Sequence, residues 1–228
     1  MRSFHGQKGS PTVPTAQPTP GKTLLTPVGH TLVLIGHQSQ MALATHSIGV
    51  GELRNEAALV ARAAKVFGVD VVLSIVAEKL FSGPLFTEIK AVFSEAVIVD
   101  RTTMNAWEGR RVTEGTNAGC HARIVRAGLW ISVCIVGRAP SALDQGFELC
   151  VIADACGDVT SQAHDRTMDR MTQLGVRPMT SIQYFLELQR DWARQDTYEQ
   201  TVATAIAHGR AYGLGLIYAR TMLGAHGG

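Results

Sequence analysis

Cys134 ends the run Gly128-Leu129-Trp130-Ile131-Ser132-Val133-Cys134, where a strand-like stretch gives way to a helix start. A thiol at a helix N-terminus feels the positive end of the helix dipole and unpaired amides, which together favour the thiolate. The same amides stabilise an oxyanion on an attacked carbonyl. Cys134 therefore reads as a nucleophile for acyl transfer, and a buried apolar cysteine is the other reading of its position. Cys120, Cys150 and Cys156 lack this placement, although Cys156 lies close to a strand end.

Arg101 follows the third β-branched run and precedes Thr102-Thr103-Met104-Asn105-Ala106-Trp107. An always-charged guanidinium near a thiol favours thiolate and holds an anionic intermediate. A surface ion pair with Asp100 or Glu108 is the alternative. His37 and Gln38 follow the first run, where a histidine serves as a base or donor, or simply as a structural residue. Gly36 before them is unusual, because glycine weakens a strand end unless backbone must pass close by. Asp144, Asp154 and Asp158 read as caps. His46 and His164 have no partner at metal-ligand spacing, so no metal is expected. There is no GxGxxG after the first run and no GxxxxGK[ST], so no nucleotide cofactor is expected either.

These residues need a frame to bring them together. β-branched runs at Thr31–Ile35, Asp70–Val76, Ala96–Asp100, Arg123–Trp130, Glu148–Asp154 and Val176–Thr180 start roughly 25 to 40 residues apart, the spacing of strand, crossover helix and strand. Between the first two, Leu53, Ala57, Val60, Ala64 and Phe67 repeat at helical steps. The alternation predicts an α/β fold, a six-stranded, mostly parallel sheet in a three-layer α/β/α sandwich. Such sheets bind ligands at the carboxyl ends of their strands, near the switch in strand order. A further amphipathic helix is expected over 181–192. The apolar, glycine-containing stretch from Tyr198 to Ala225 lies beyond what the core fold needs.

The 228 residues are 46% hydrophobic and 18% charged, enough for a sizeable core in one domain. No apolar stretch reaches the roughly 18 to 20 residues of a membrane span. The net charge is +2, with Arg2, Lys8 and Lys22 and no acid in the first 22 residues, so the rest is close to neutral and shows no basic face for nucleic acid. Four sparse cysteines read as reduced thiols, and the first 22 residues lack a secretory apolar core, so a cytoplasmic protein is expected. The Pro- and Thr-rich residues 1–27 read as a flexible arm, 28–195 as the domain, and 196–228 as an extension packing on the domain or on a neighbouring subunit.

Taken together, Leu34-Ile35-Gly36-His37-Gln38, Gly83-Pro84-Leu85, Arg101 with Asn105-Ala106-Trp107, Ala127-Gly128-Leu129 with Val133-Cys134, and Ser141-Ala142-Leu143 with Gly146-Phe147 resemble the isochorismatase-like cysteine hydrolases, YcaC-type branch. Asp154-Ala155, Asp169-Arg170-Met171, Met179-Thr180, and Glu187-Leu188 with Arg190-Asp191-Trp192 extend the likeness over residues 28 to 195. The resemblance implies a homo-oligomer and a cysteine that attacks an amide carbonyl, an aspartate after strand one that shuttles the proton, and a Lys or Arg after strand three. It also implies a non-proline cis peptide that helps to form the oxyanion hole. By position these map to Cys134, Gly36, Arg101 and the Trp130–Ile131 bond, with the amides of Ile131 and Cys134 as oxyanion donors. Trp107, Asn105, His37 and Phe86 are expected to line the substrate pocket.

Two positions depart from that pattern. Gly36 stands where the family has its aspartate, and Ile131 where threonine is usual. Loss of a proton shuttle removes a factor of typically 10² to 10⁴. The expectation is therefore a hydrolase of a small C–N bond whose base comes from His37 or an ordered water. The alternative is an impaired relative that binds a small carbonyl compound or serves as an oligomeric scaffold. Asp100 is a weaker substitute, since it points the other way along its strand. Vinyl-ether cleavage, which relies on the aspartate, is disfavoured by Gly36.

Overall fold

The computed structural model describes residues 18–224. Among them, β1 (Thr31–Ile35), β2 (Asp70–Val76), β3 (Ile98–Arg101), β4 (Arg123–Gly128), β5 (Glu148–Ile152) and β6 (Arg177–Met179) form one sheet in the order β3-β2-β1-β4-β5-β6. Every pairing is parallel. β1 is buried along its whole length, which explains why its run Thr-Leu-Val-Leu-Ile has no polar alternation.

The helices are α1 (Ser39–Leu43), α2 (Val50–Val66), α3 (Thr87–Val92), α4 (Arg110–Ala118), α5 (Arg138–Asp144), α6 (Ser161–Gln173), α7 (Ser181–Gln189), α8 (Tyr198–His208) and α9 (Arg210–Leu223). The chain steps from β1 outward to β3, then returns past β1 to β4 and steps outward the other way to β6. Right-handed crossovers then put α2 and α3 on one face and α4, α5 and α6 on the other. α7 and α8 pack on α2, and α9 packs on α8. The reversal of direction falls between β1 and β4, so the crevice that such folds use for ligands opens there.

The strand limits differ from the sequence expectation in ways that matter for the site. β3 begins later than Ala96 and takes in Arg101, because Arg101 pairs in register with Val76 of β2. β4 stops at Gly128 and not at Trp130, since the chain turns immediately afterwards into a one-turn π-type segment, Ile131–Ile135. β6 is short and lies at the sheet edge, where the missing N–H of Pro178 is tolerated.

Residues 1–17 of the expected arm lie outside the described residues. Its last part is held: Arg123 donates to the carbonyls of Lys22 and Leu24, and the Leu25 amide donates to Glu187. Among the described residues no helix is long and apolar enough to cross a membrane.

Arg126, in the middle of β4, is only 1% exposed, and among the described residues none of its three guanidinium nitrogens has a hydrogen-bond partner. Its register neighbour on β1 is Val33, which pairs with Val72, and Val72 lies against Gly115 of α4. The guanidinium therefore sits on the α4 side of the sheet. Burial holds its pKa down to about 10.

Candidate active site

The carboxyl ends of β1, β3 and β4 bring Gly36, Arg101 and the turn carrying Cys134 to one end of the sheet. β4 continues as a single ladder step beyond Gly128. The Leu129 amide donates to the Ile35 carbonyl, and Leu129 bridges Gly157 in parallel. The next peptide bond, Leu129–Trp130, is cis. This corrects the expected position at Trp130–Ile131 by one residue, because Leu129 is still tied to β1 and the chain turns only after it.

Gly36 has φ of 64°, the left-handed region that suits glycine. A Cβ built there would lie 2.5 Å from the Leu129 carbonyl oxygen. The Gly36 amide donates to the Ser74 carbonyl at 2.7 Å, which seats the backbone against β2. The place of a side chain at position 36 is thus filled by the carbonyl of the cis peptide itself.

Cys134 is 2% exposed and lies within the π-type turn, ahead of α5. Its position differs from the expected first turn of an α-helix, since the residues that follow β4 close hydrogen bonds among themselves before α5 starts. The Cys134 amide donates to the Trp130 carbonyl at 2.8 Å, and the Ile131 amide to the Gly157 carbonyl at 3.2 Å. The two amides expected as oxyanion donors therefore already have acceptors. The turn is also anchored by a carboxylate. Asp158, fully buried, accepts from the amides of Ser132 and Val159 at 2.8 Å, while its own amide donates to Ser47. Sequence reasoning took Asp158 for a simple cap. Its position, 24 residues on from Cys134, carries no local signal of that bridge.

Arg101 is 6% exposed. Its Nε donates to the Ser74 hydroxyl at 3.2 Å, and Nη1 donates to the carbonyls of Thr103 and Met104. Among the described residues, Nη2 is buried with no partner, and so is the Thr103 hydroxyl. These bonds replace the surface ion pair that the sequence left open, and they fix one guanidinium edge while leaving the other unused. A cavity of about 370 Å³ opens beside it, lined by Arg101, Thr103, Glu108 and Arg111.

His37 is fully buried. Its Nε2 lies 2.9 Å from the Ala155 carbonyl, which only accepts, so Nε2 carries the proton. Nδ1 is then an unprotonated lone pair, and it is buried without a partner. Burial drives the pKa down to about 4, which keeps the ring neutral. Gln38 is equally buried. Its amide donates to the carbonyls of Val76 and Gly83 and accepts from the Val76 amide, tying the exit of β1 to the exit of β2.

The expected pocket residues divide. Phe86 is 1% exposed, its ring 5.6 Å from that of His37 and with the Arg54 guanidinium 5.4 Å above it, so it packs in the core. It faces inward because its amide is bonded to the His37 carbonyl, which draws the residue against β1. Asn105 caps the short turn that follows β3: its carbonyl oxygen accepts from the Trp107 amide and its amino group reaches Glu108. Trp107 is buried against Phe147, with ring centroids 5.5 Å apart. Trp130, by contrast, is half-buried and donates its indole N–H to Thr45 at 3.0 Å. Thr45 in turn lines a cleft of about 860 Å³ with His46, Asp154, Cys156 and His164. Among the described residues no group of three or more His, Cys, Asp or Glu side chains is arranged to hold a metal ion.

Comparisons with known proteins agree with this geometry. The isochorismatase domain matches residues 30–183. The probable hydrolase YcaC of Escherichia coli is 28% identical over 162 residues, covering 71% of this chain and 78% of that protein. The crystal structure of the E. coli YcaC gene product, described as an octameric hydrolase of unknown specificity, aligns with a TM-score of 0.83 at 27% identity. YcaC from Pseudomonas aeruginosa, with hexane-2,5-diol and covalent acrylamide, also gives 0.83 at 26% identity. Both alignments cover 90% of this chain and 100% of the other. With the sheet order, the turn after β4 and a family match over most of its length in agreement, the chain belongs to the isochorismatase domain family, in the branch that holds the YcaC hydrolases.

Proposed function

We propose that the protein hydrolyses a C–N bond of a small amide through Cys134. The observation that carries this reading is the unused, buried Nη2 of Arg101 at the same end of the sheet as the thiol. Such a donor is costly to bury unpaired, and an oxyanion on an attacked carbonyl satisfies it. With the Ile131 and Cys134 amides engaged, Arg101 takes the oxyanion role that the resemblance implies for those backbone amides.

The steps follow from the side chains present. His37 Nδ1 takes the thiol proton, and sulfur attacks the carbonyl carbon. The tetrahedral oxyanion rests on Arg101, then collapses to a thioester as the C–N bond breaks, and the proton on His37 passes to the leaving amine. Water attacks the thioester, its proton going to His37 and then back to sulfur, and the acid leaves. The covalent acrylamide in the P. aeruginosa relative supports nucleophilic chemistry in this branch. The octameric E. coli relative supports a homo-oligomer here, and the four free cysteines fit a reducing cytoplasm.

Amine release from a panel of small amides, with Cys134→Ala as control, tests the reading. Turnover should vanish in the variant, and unchanged turnover would overturn it. A second reading, a small-molecule binder or oligomeric scaffold with little turnover, draws on the absence of any carboxylate at position 36 and on the carbonyl that fills its space.

A further inference from the structure

The segment after β2 is built in an unusual way. Ala77 is left-handed, with φ of 47°, and its carbonyl accepts from the amides of Leu80, Phe81 and Ser82. This closes a single wide turn over Glu78–Ser82 that projects from the end of the sheet. The turn is not loosely attached, because Gln38 binds the carbonyls on both sides of it, Val76 and Gly83. Yet this anchored turn holds Leu80 at 87% and Phe81 at 64% exposure.

Single exposed apolar side chains are ordinary, but a cluster at one functional end is not. The segments that follow β1, β2, β3 and β4 each present one: Leu43, Phe81, Met104 and Val133 are all exposed. Phe81 meets Trp130 edge to face, with ring centroids 6.1 Å apart. Trp130 in turn accepts the Cys134 amide on its carbonyl and so belongs to the turn that presents the thiol. Through Trp130 the aromatic pair is attached to the same turn as Cys134, which argues for the apolar part of a substrate as its occupant.

Resting on the reading of Cys134 as nucleophile, we propose that Phe81 and Trp130 form an apolar subsite that selects amides bearing an aromatic-sized hydrocarbon substituent over small polar ones. Phe81 is exposed and Trp130 half-buried, and the turn anchored by Gln38 holds the pair in place before the substrate arrives, so little ordering entropy is lost on binding.

The test compares alkylation of Cys134 by iodoacetamide and by N-benzyl iodoacetamide, read by peptide mass spectrometry, with exposed Cys120 as the internal reference. Burying one benzyl group against two rings should favour the benzyl reagent at Cys134 by about tenfold relative to Cys120. Phe81→Ala should bring that preference close to one, and Phe81→Leu should keep part of it. Leu174→Ala, an exposed apolar change at the end of α6, should leave the preference intact. A Cys134 that reacts with both reagents in the same ratio as Cys120, or a preference that survives in Phe81→Ala, overturns the subsite and leaves the nucleophile standing. A Cys134 inert to both reagents while Cys120 reacts overturns the nucleophile and the subsite with it.

Discussion

The carbonyl oxygen of Leu129 lies 2.5 Å from the point where a Cβ on Gly36 would stand. Real Cβ atoms do not approach a backbone oxygen so closely, and the left-handed φ of Gly36 adds to the obstacle. Restoring the family aspartate at this position should therefore not restore a proton shuttle. Gly36→Ala and Gly36→Asp are both expected to lose about 2 to 4 kcal/mol of stability by urea unfolding. A Gly36→Asp protein of unchanged stability and much higher amidase rate would show that the Leu129 carbonyl moves aside.

Arg101 separates two uses of one side chain. Nε and Nη1 hold the end of β3 and the segment after it, and Nη2 is unused. Arg101→Lys keeps the charge but loses the planar fork. The expected result is a drop in kcat of about 100-fold, typical of a lost oxyanion donor, with KM changed far less. An equal loss on KM alone would assign the guanidinium to substrate binding.

The histidines make the protein sensitive to acid. His30 and His37 both have a pKa near 4 against an ordinary 6.5, in each case chiefly through burial. The native state thus binds fewer protons than the unfolded chain between these values, so stability is full above pH 6.5 and falls as pH drops toward 4. Each ring should account for about 2 kcal/mol of the loss between pH 7 and pH 5. His30 donates from Nδ1 to the Thr26 carbonyl and pairs through Nε2 with the Tyr184 hydroxyl. In His30→Gln that share of the pH dependence should disappear from the difference between urea unfolding at the two pH values, whatever the variant's stability at pH 7.

Arg126 should be a site where replacement helps. A buried guanidinium whose three nitrogens have no hydrogen-bond partner among the described residues carries a desolvation penalty that outweighs what its surroundings return. Arg126→Met, similar in length and without charge, is expected to raise the thermal midpoint and to add roughly 1 to 3 kcal/mol. A lower midpoint would show that the charge meets a partner in the assembled protein.

Asp158 is the opposite case. Its buried carboxylate accepts from the Ser132 amide in the Cys134 turn and from the Val159 amide beside it, and its loss would leave both without that acceptor. Asp158→Ala should cost about 2 to 4 kcal/mol, and Asp158→Asn about half of that, in thermal unfolding followed by circular dichroism.

The contrast between these two residues shows what the sequence could convey. The strands were legible because parallel ladders buried on both faces need uninterrupted β-branched runs, as in β1 and β2. Cys134 and Arg101 were legible as strand-end residues because topology alone brings such positions to one end of the sheet. Arg126 stood out from nothing in the sequence, since composition equates charge with exposure and carries no sign of an unpaired buried ion. Asp158 was missed because its partners belong to a distant turn. That Phe86 packs in the core was not legible, because an aromatic at a helix start looks the same in sequence whether it faces a pocket or a core. The cis bond lies one residue earlier than expected because the ladder ends at Leu129 and not at Trp130, a matter of three-dimensional register.

Gln38 has a consequence of another kind, in time. Its side-chain amide stands where a strand neighbour would otherwise serve Val76, and it also holds the far side of the Phe81 turn at Gly83. The Val76 N–H can meet solvent only when a side chain from another loop lets go, and that release frees the Phe81 turn as well. Deuterium should therefore enter at Val76 and across the turn in one shared event, and the rate of that event is the frequency with which the mouth of the site comes apart.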